Sequence, residues 1–111
     1  QAIIDKLSGQ DPKFKATVHT FFSRNPYEID PKSEIVQIVQ AATQSVLTTE
    51  AEIYGELWWM DSALLADAGM ETVIIGPTGD GIHADEEWVD VESVVQLAQI
   101  LQYSAIHYCG V

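Results

Sequence analysis

From residue 33 to residue 111 the sequence contains no lysine and no arginine. All five basic residues, Lys6, Lys13, Lys15, Arg24 and Lys32, come earlier, where four acids leave a net charge of +1. The other thirteen of the seventeen acids follow, so the second segment carries −13. A surface of that sign repels phosphate backbones and anionic lipid, which makes nucleic acid and membrane poor partners. The carboxylates also lack internal cations. Either they are solvated, or they face cations supplied from elsewhere, by further sequence or by metal ions.

Cysteine is almost missing. Cys109 stands alone, which excludes an internal disulfide framework and fits a reducing, cytoplasmic setting. No apolar run approaches the roughly 20 residues that span a bilayer. The opening QAIIDKLSGQ does not combine a basic segment, an apolar stretch and a small-residue cleavage site, so it does not read as a secretory signal. Internal repeats, low-complexity tracts and heptads are lacking too. What remains is 111 residues with 47% hydrophobic content, enough for one modest domain or for pieces of two.

Periodicity organises the chain. Residues 2 to 8 (AIIDKLS) read as a short helix ended by Gly9, and Asp11-Pro12 starts a new element. Within Phe14 to Ser23, Val18, Thr20 and Phe22 alternate with Thr17, His19, Phe21 and Ser23, a strand pattern. Asp30-Pro31 supplies an N-cap and a first-turn proline, and Ile35, Ile38, Val39, Ala42 and Val46 recur at helical spacing, predicting a helix over about 31 to 47. EIYGEL (52 to 57) is a short strand candidate. Asp61 opens a brief helix that Gly69 stops, and TVII (72 to 75) reads as a buried strand. Asp90 caps a last helix with Val91, Val94, Val95, Ala98 and Leu101 on one stripe, broadened by Leu97, Ile100 and Ala105. Helices alternating with strands in this order predict an α/β layer arrangement.

The loop after TVII carries the chemistry. Sites in open α/β sheets form beyond the carboxyl ends of strands, where GPTGDG falls. Gly76, Gly79 and Gly81 permit close backbone approach, and Pro77 stiffens the turn. Walker spacing and dinucleotide-binding spacing are both missing. On these residues alone the stretch is a plain turn or a ligand loop. His83 at its end is either a structural hydrogen-bonding residue or a metal ligand, and zinc needs three or four donors.

The run WWMDSALLADAGMETVIIGPTGDGIHADEEWVDVES resembles the C-terminal signature of the dizinc metallohydrolases that include acetylornithine deacetylase, succinyl-diaminopimelate desuccinylase, aminoacylase and related carboxypeptidases. Met60-Asp61-Ser62, Gly69-Met70-Glu71, Gly76-Pro77-Thr78 and His83 with Glu86-Glu87 occupy the family's motif positions in order. Upstream, FFSRNPYEIDPKSEIVQIVQAA resembles the last strand of the family's inserted lid and the helix returning to the catalytic domain. The resemblance implies a division into residues 1–29, the end of an α+β lid or dimerisation domain, and residues 30–111, the C-terminal part of a zinc-peptidase-like α/β catalytic domain.

The resemblance implies that His83 is a zinc ligand, its second ring nitrogen bonded to a carboxylate or carbonyl. It places Gly79 where the loop approaches substrate. It sets Trp59 and Met60 where smaller residues commonly line the acyl-amino-acid pocket, which suggests a different side-chain preference unless the Trp-Trp pair is plain packing. Arg24, the sole guanidinium, is either a bidentate clamp for a substrate carboxylate or a surface residue. His19 reads as a strand residue and His107 as a helix-end residue. The family's His-x-Asp motif, bridging aspartate, Glu-Glu pair with the general base, and lid histidine have no counterpart here, so no catalytic residue is assigned. The implied function is a C-terminal portion, inactive alone, of an amidohydrolase using two zinc ions, or substituted cobalt or manganese. Its substrates would be N-acyl amino acids or small peptides, and the lid would pair two copies. The alternative is a non-catalytic acidic α/β interaction module.

Overall fold

The structure, a computed structural model, describes residues 1–110. It contains α1 (Ala2–Gln10), α2 (Glu34–Leu47), α3 (Ser62–Asp67), β1 (Gly79–Asp80), β2 (Trp88–Val89) and α4 (Val91–Cys109). The Cα radius of gyration is 20.6 Å, over extents of 65 × 36 × 21 Å. A compact domain of this length would have about 13 Å. The chain is therefore drawn out along one axis, and its packing is concentrated in one place.

That place is the contact between α2 and α4. In α2, Val36, Val39, Ala42 and Thr43 are buried, and Ala42 has no exposure at all. In α4 the buried residues are Ile100 and Ser104. Small residues, Ala42 on α2 and Ser104 on α4, are among the buried positions of the two helices, a composition that permits close helix packing. Thr43 satisfies its hydroxyl within the helix, donating to the Val39 carbonyl at 2.8 Å.

The packed stripe of α4 differs from the expected one. Val91, Val95 and Leu101 are 74%, 56% and 50% exposed, while the covered line runs through Ser93, Gln96, Leu97, Ile100, Tyr103 and Ser104. Two apolar lines coexist on this helix, and α2 covers only one of them.

Helix boundaries follow local chemistry. Asp90 caps α4, its carboxylate accepting from the Ser93 N–H at 2.7 Å, and Gly110 ends it in the left-handed region. α2 begins later than expected because Asp30 forms a turn of its own, accepting from Lys32 N–H at 2.8 Å and, through its carbonyl, from Ser33 N–H at 2.9 Å. Ser33 holds the cap position without a side-chain cap bond. Glu71 reaches that helix end instead, its Oε2 accepting from Ile35 N–H at 3.3 Å and from the Tyr108 hydroxyl at 3.5 Å. A carboxylate there is favoured by the helix dipole. Partial desolvation, with the Glu71 and Glu34 carboxylates, pushes the Tyr108 phenol above its usual range.

Helix α1 passes through Gly9 rather than ending there, and stops at Asp11. The chain does turn after α3 at Gly69, where Gly69 N–H donates to the Ala66 carbonyl and Met70 N–H to that of Leu65. Asp61 stands at the start of that helix but makes no side-chain cap bond. The strand expectations over 14–23, 52–57 and 72–75 are not met: the one sheet among the described residues is the antiparallel pair of β1 and β2. Alternating apolar residues create a capacity for pairing, but a ladder needs a neighbouring strand, and none of these segments has one here. One bond ties the amino-terminal segment to the rest, the Tyr27 hydroxyl donating to the Thr72 carbonyl at 2.8 Å.

Candidate functional site

Residues 76 to 93 form a closed unit. β1 and β2 pair Gly79 with Val89 and Asp80 with Trp88. Asp90 N–H donates to the Thr78 carbonyl at 2.8 Å, and Ala84 N–H to the Gly81 carbonyl at 2.8 Å. The base of the unit is pinned to α4 by Ser93, whose hydroxyl accepts from Thr78 N–H at 2.9 Å and donates to the Asp90 carbonyl at 2.7 Å. Sequence reasoning missed Ser93. The signal was present, since a serine three residues after an N-cap aspartate has its hydroxyl level with the incoming loop.

The glycines are needed for this closure. A Cβ on Gly79 would lie 2.5 Å from the Trp88 carbonyl oxygen, and one on Gly81, at φ +80°, would run into the Glu86 carbonyl oxygen. The close approach permitted by Gly79 is thus made to the hairpin's own second strand.

His83 sits at the turn of this hairpin, exposed, with φ +64°. Histidine tolerates the left-handed region better than most residues, but a non-glycine residue there is uncommon and is held by its surroundings. The 81–84 turn bond and the ladder below it supply the hold. Glu86 and Glu87 follow on the returning arm, both exposed. Among the described residues no group of three or more His, Cys, Asp or Glu side chains comes together to hold a metal. One imidazole on a fixed turn fits a single ligand position, and zinc takes three or four donors, so these residues do not by themselves make a metal site. His107 is engaged elsewhere, its Nδ1 2.8 Å from the Tyr103 carbonyl oxygen and its ring stacked on Tyr103 at 3.9 Å.

A cleft of about 340 Å³ gathers three of the four residues expected to meet substrate. Arg24, Trp59 and Met60 line it together with Tyr27, Glu56 and Trp58. Gly79 is not among its lining residues. The Arg24 guanidinium carbon lies 4.2 Å from the Phe22 ring centroid and 5.7 Å from that of Trp59. Its plane is thereby braced by two aromatic faces, each contributing about 0.5–1 kcal/mol at an exposed site.

The same motifs place the chain among known proteins. Residues 4–107 match the model of the peptidase family M20/M25/M40. A succinyl-diaminopimelate desuccinylase of Psychrobacter arcticus is 31% identical over 101 residues, covering 91% of this chain and 24% of the relative. A second desuccinylase, of Nitrosospira multiformis, is 30% identical over 100 residues, covering 79% of this chain and 26% of the relative. No solved structure gives a significant match. The chain thus spans about a quarter of the length of these relatives. Matched over residues 4–107, nearly the whole of its length, the chain belongs to the peptidase family M20/M25/M40.

Proposed function

We propose that these 111 residues are the C-terminal part of a metal-dependent hydrolase of amide bonds that acts on N-acyl amino acids or small peptides. His83 supplies one ligand of a two-zinc centre, and the chain alone is inactive. The observation that carries this reading is the position of His83: a left-handed, exposed histidine at the turn of a closed hairpin, within a chain matched by the family over residues 4–107.

Metal ions bound at such a centre supply a water of lowered pKa and a polarised carbonyl. This chain's own contribution is to hold one imidazole at a fixed angle and to offer the Arg24, Trp59 and Met60 cleft to the substrate. A guanidinium held over two rings, with one weak bond to the Ser23 carbonyl, has N–H groups left for a carboxylate. Residues 1–29 belong to a lid and residues 30–111 to the catalytic layer. Phe21 and Phe22, 90% and 61% exposed, lie in an amino-terminal segment with strand-type alternation, which supports pairing of two copies through that region. The lone Cys109 fits a reducing compartment, and on that ground we assign the complete protein to the cytoplasm.

The test is the reading frame upstream of Gln1 together with metal content. A His-x-Asp motif and a Glu-Glu pair upstream, with close to two zinc ions in the purified full-length protein and amide hydrolysis lost on chelation, are expected. A start codon near Gln1 and a metal-free, folded chain would support the interaction-module alternative and overturn this reading.

A further inference from the structure

We infer that the Arg24–Trp59 cleft selects a ligand with one carboxylate and one bulky apolar or aromatic arm, and disfavours a ligand with a second carboxylate. Three observations converge. Arg24 is the only cation in the cleft, and its polar contact within the chain is weak, a 3.5 Å bond to its neighbour Ser23's carbonyl. The guanidinium is held instead over Phe22 and Trp59, so its N–H groups remain available to an anion. Around it the lining is mixed, and its apolar part includes Trp58, Trp59 and Ile74, which are 56%, 42% and 53% exposed. These side chains present an apolar face at amino-acid scale, within the lower range of about 300–1,000 Å³ for small-molecule sites.

Glu56 supplies the discrimination. It lines the same cleft, where Arg24 is the one cation and can serve only one carboxylate of a ligand bidentately. A second carboxylate on the ligand would meet Glu56 where an apolar arm meets Trp58 and Trp59. Like-charge juxtaposition is a rejecting element, as effective for specificity as an added attraction. The cleft is thereby set against acyl groups that bring a carboxylate of their own, such as succinyl, the group in the names of both desuccinylase relatives.

The kinetic part of the test rests on the amide-hydrolase reading and the binding part does not. In the full-length protein, kcat/KM for N-acetylphenylalanine is expected to exceed that for N-succinyl-alanine by about tenfold or more. Trp59→Ala should collapse that ratio, and Glu56→Gln should raise the succinyl rate selectively. Binding is read separately from tryptophan fluorescence, titrating hydrocinnamate against succinate. Tighter binding of hydrocinnamate, with the preference reduced in Trp59→Ala and in Glu56→Gln, is the expected result. If neither amide is hydrolysed but hydrocinnamate still binds preferentially, the hydrolase reading fails and the cleft assignment stands. Equal or tighter succinate binding, or a preference untouched by both substitutions, overturns the inference.

Discussion

Gly81→Ala should open the hairpin that presents His83, whereas Gly76→Ala, five residues earlier in the same glycine-rich stretch, should leave it closed. At Gly81 two costs combine. The φ of +80° places an L side chain in the left-handed region, at about 1–2 kcal/mol. The new Cβ also meets the Glu86 carbonyl oxygen, with the Glu86 carbonyl carbon at 3.1 Å and the Glu87 Cα at 3.2 Å. All three are backbone atoms of the opposing arm, so relief requires that arm to move, and overpacking of this kind costs about 1–3 kcal/mol. Against this stands a ladder of two residue pairs, each hydrogen bond worth a net of about 0.5–1.5 kcal/mol. Perturbation and ladder are of similar size, so the closed form should lose its dominance. At Gly76 nothing lies within 4 Å of an added Cβ, and the change should stay within about 0.5 kcal/mol. Amide hydrogen exchange at Asp90, whose N–H donates to Thr78 across the base of the hairpin at 2.8 Å, reports closure. Exchange should accelerate about tenfold or more in Gly81→Ala, a factor corresponding to about 1.4 kcal/mol. Parental exchange in Gly81→Ala, or faster exchange in Gly76→Ala than in Gly81→Ala, would refute the reasoning.

Three further outcomes are expected. Ile100→Ala removes the large apolar side chain that α4 buries, 3% exposed, and should cost about 2–4 kcal/mol in urea unfolding, whereas Val91→Ala, 74% exposed, should cost little. Glu71→Ala withdraws the acceptor at Ile35 N–H and should lower stability by about 0.5–1 kcal/mol, an effect that salt should diminish. Tyr108 has its folded pKa raised above 10.0, so the folded state holds that proton more tightly than the unfolded state. Its stabilising contribution is complete below 10.0 and disappears as pH rises through the raised folded value, and Tyr108→Phe should remove that alkaline decline in a pH-resolved unfolding series.

Local chemistry made much of the helical frame legible. Asp90, three residues before Ser93, announced the start of α4, and Gly69 announced a stop, because both act through bonds within a single turn. Asp30 misled for the same kind of reason: its side chain can cap a helix or close a short turn, and here the turn wins, delaying α2 to Glu34. The segments 14–23, 52–57 and 72–75 carry real period-two patterns, yet pairing is a property of neighbours that the pattern cannot supply. On α4 the sequence offers two apolar lines, and which one is covered depends on the placement of α2, a tertiary fact outside the helix's own sequence. At the site, the glycine-rich loop and His83 were visible through motif order. The meeting of Arg24 with Trp59 was not, because these residues are far apart in sequence and nothing local brings them together. The Tyr27–Thr72 bond beside it is likewise a tertiary contact with no periodic signature.

Whether the 76–93 hairpin serves to hold His83 as a metal ligand is tested most directly by zinc content per chain, measured alongside the rate of amide hydrolysis, in the full-length protein carrying His83→Ala. Because His83 is exposed at a turn, its removal opens little core volume, and the unfolding midpoint should barely move. Zinc content should fall by about one ion per chain and turnover by about two orders of magnitude, the loss expected when a ligand position is emptied. Glu86→Gln and Glu87→Gln, on the returning arm, should cost far less. A His83→Ala protein that retains both zinc ions and parental turnover would make the histidine a purely structural turn residue and contradict its assignment as a ligand.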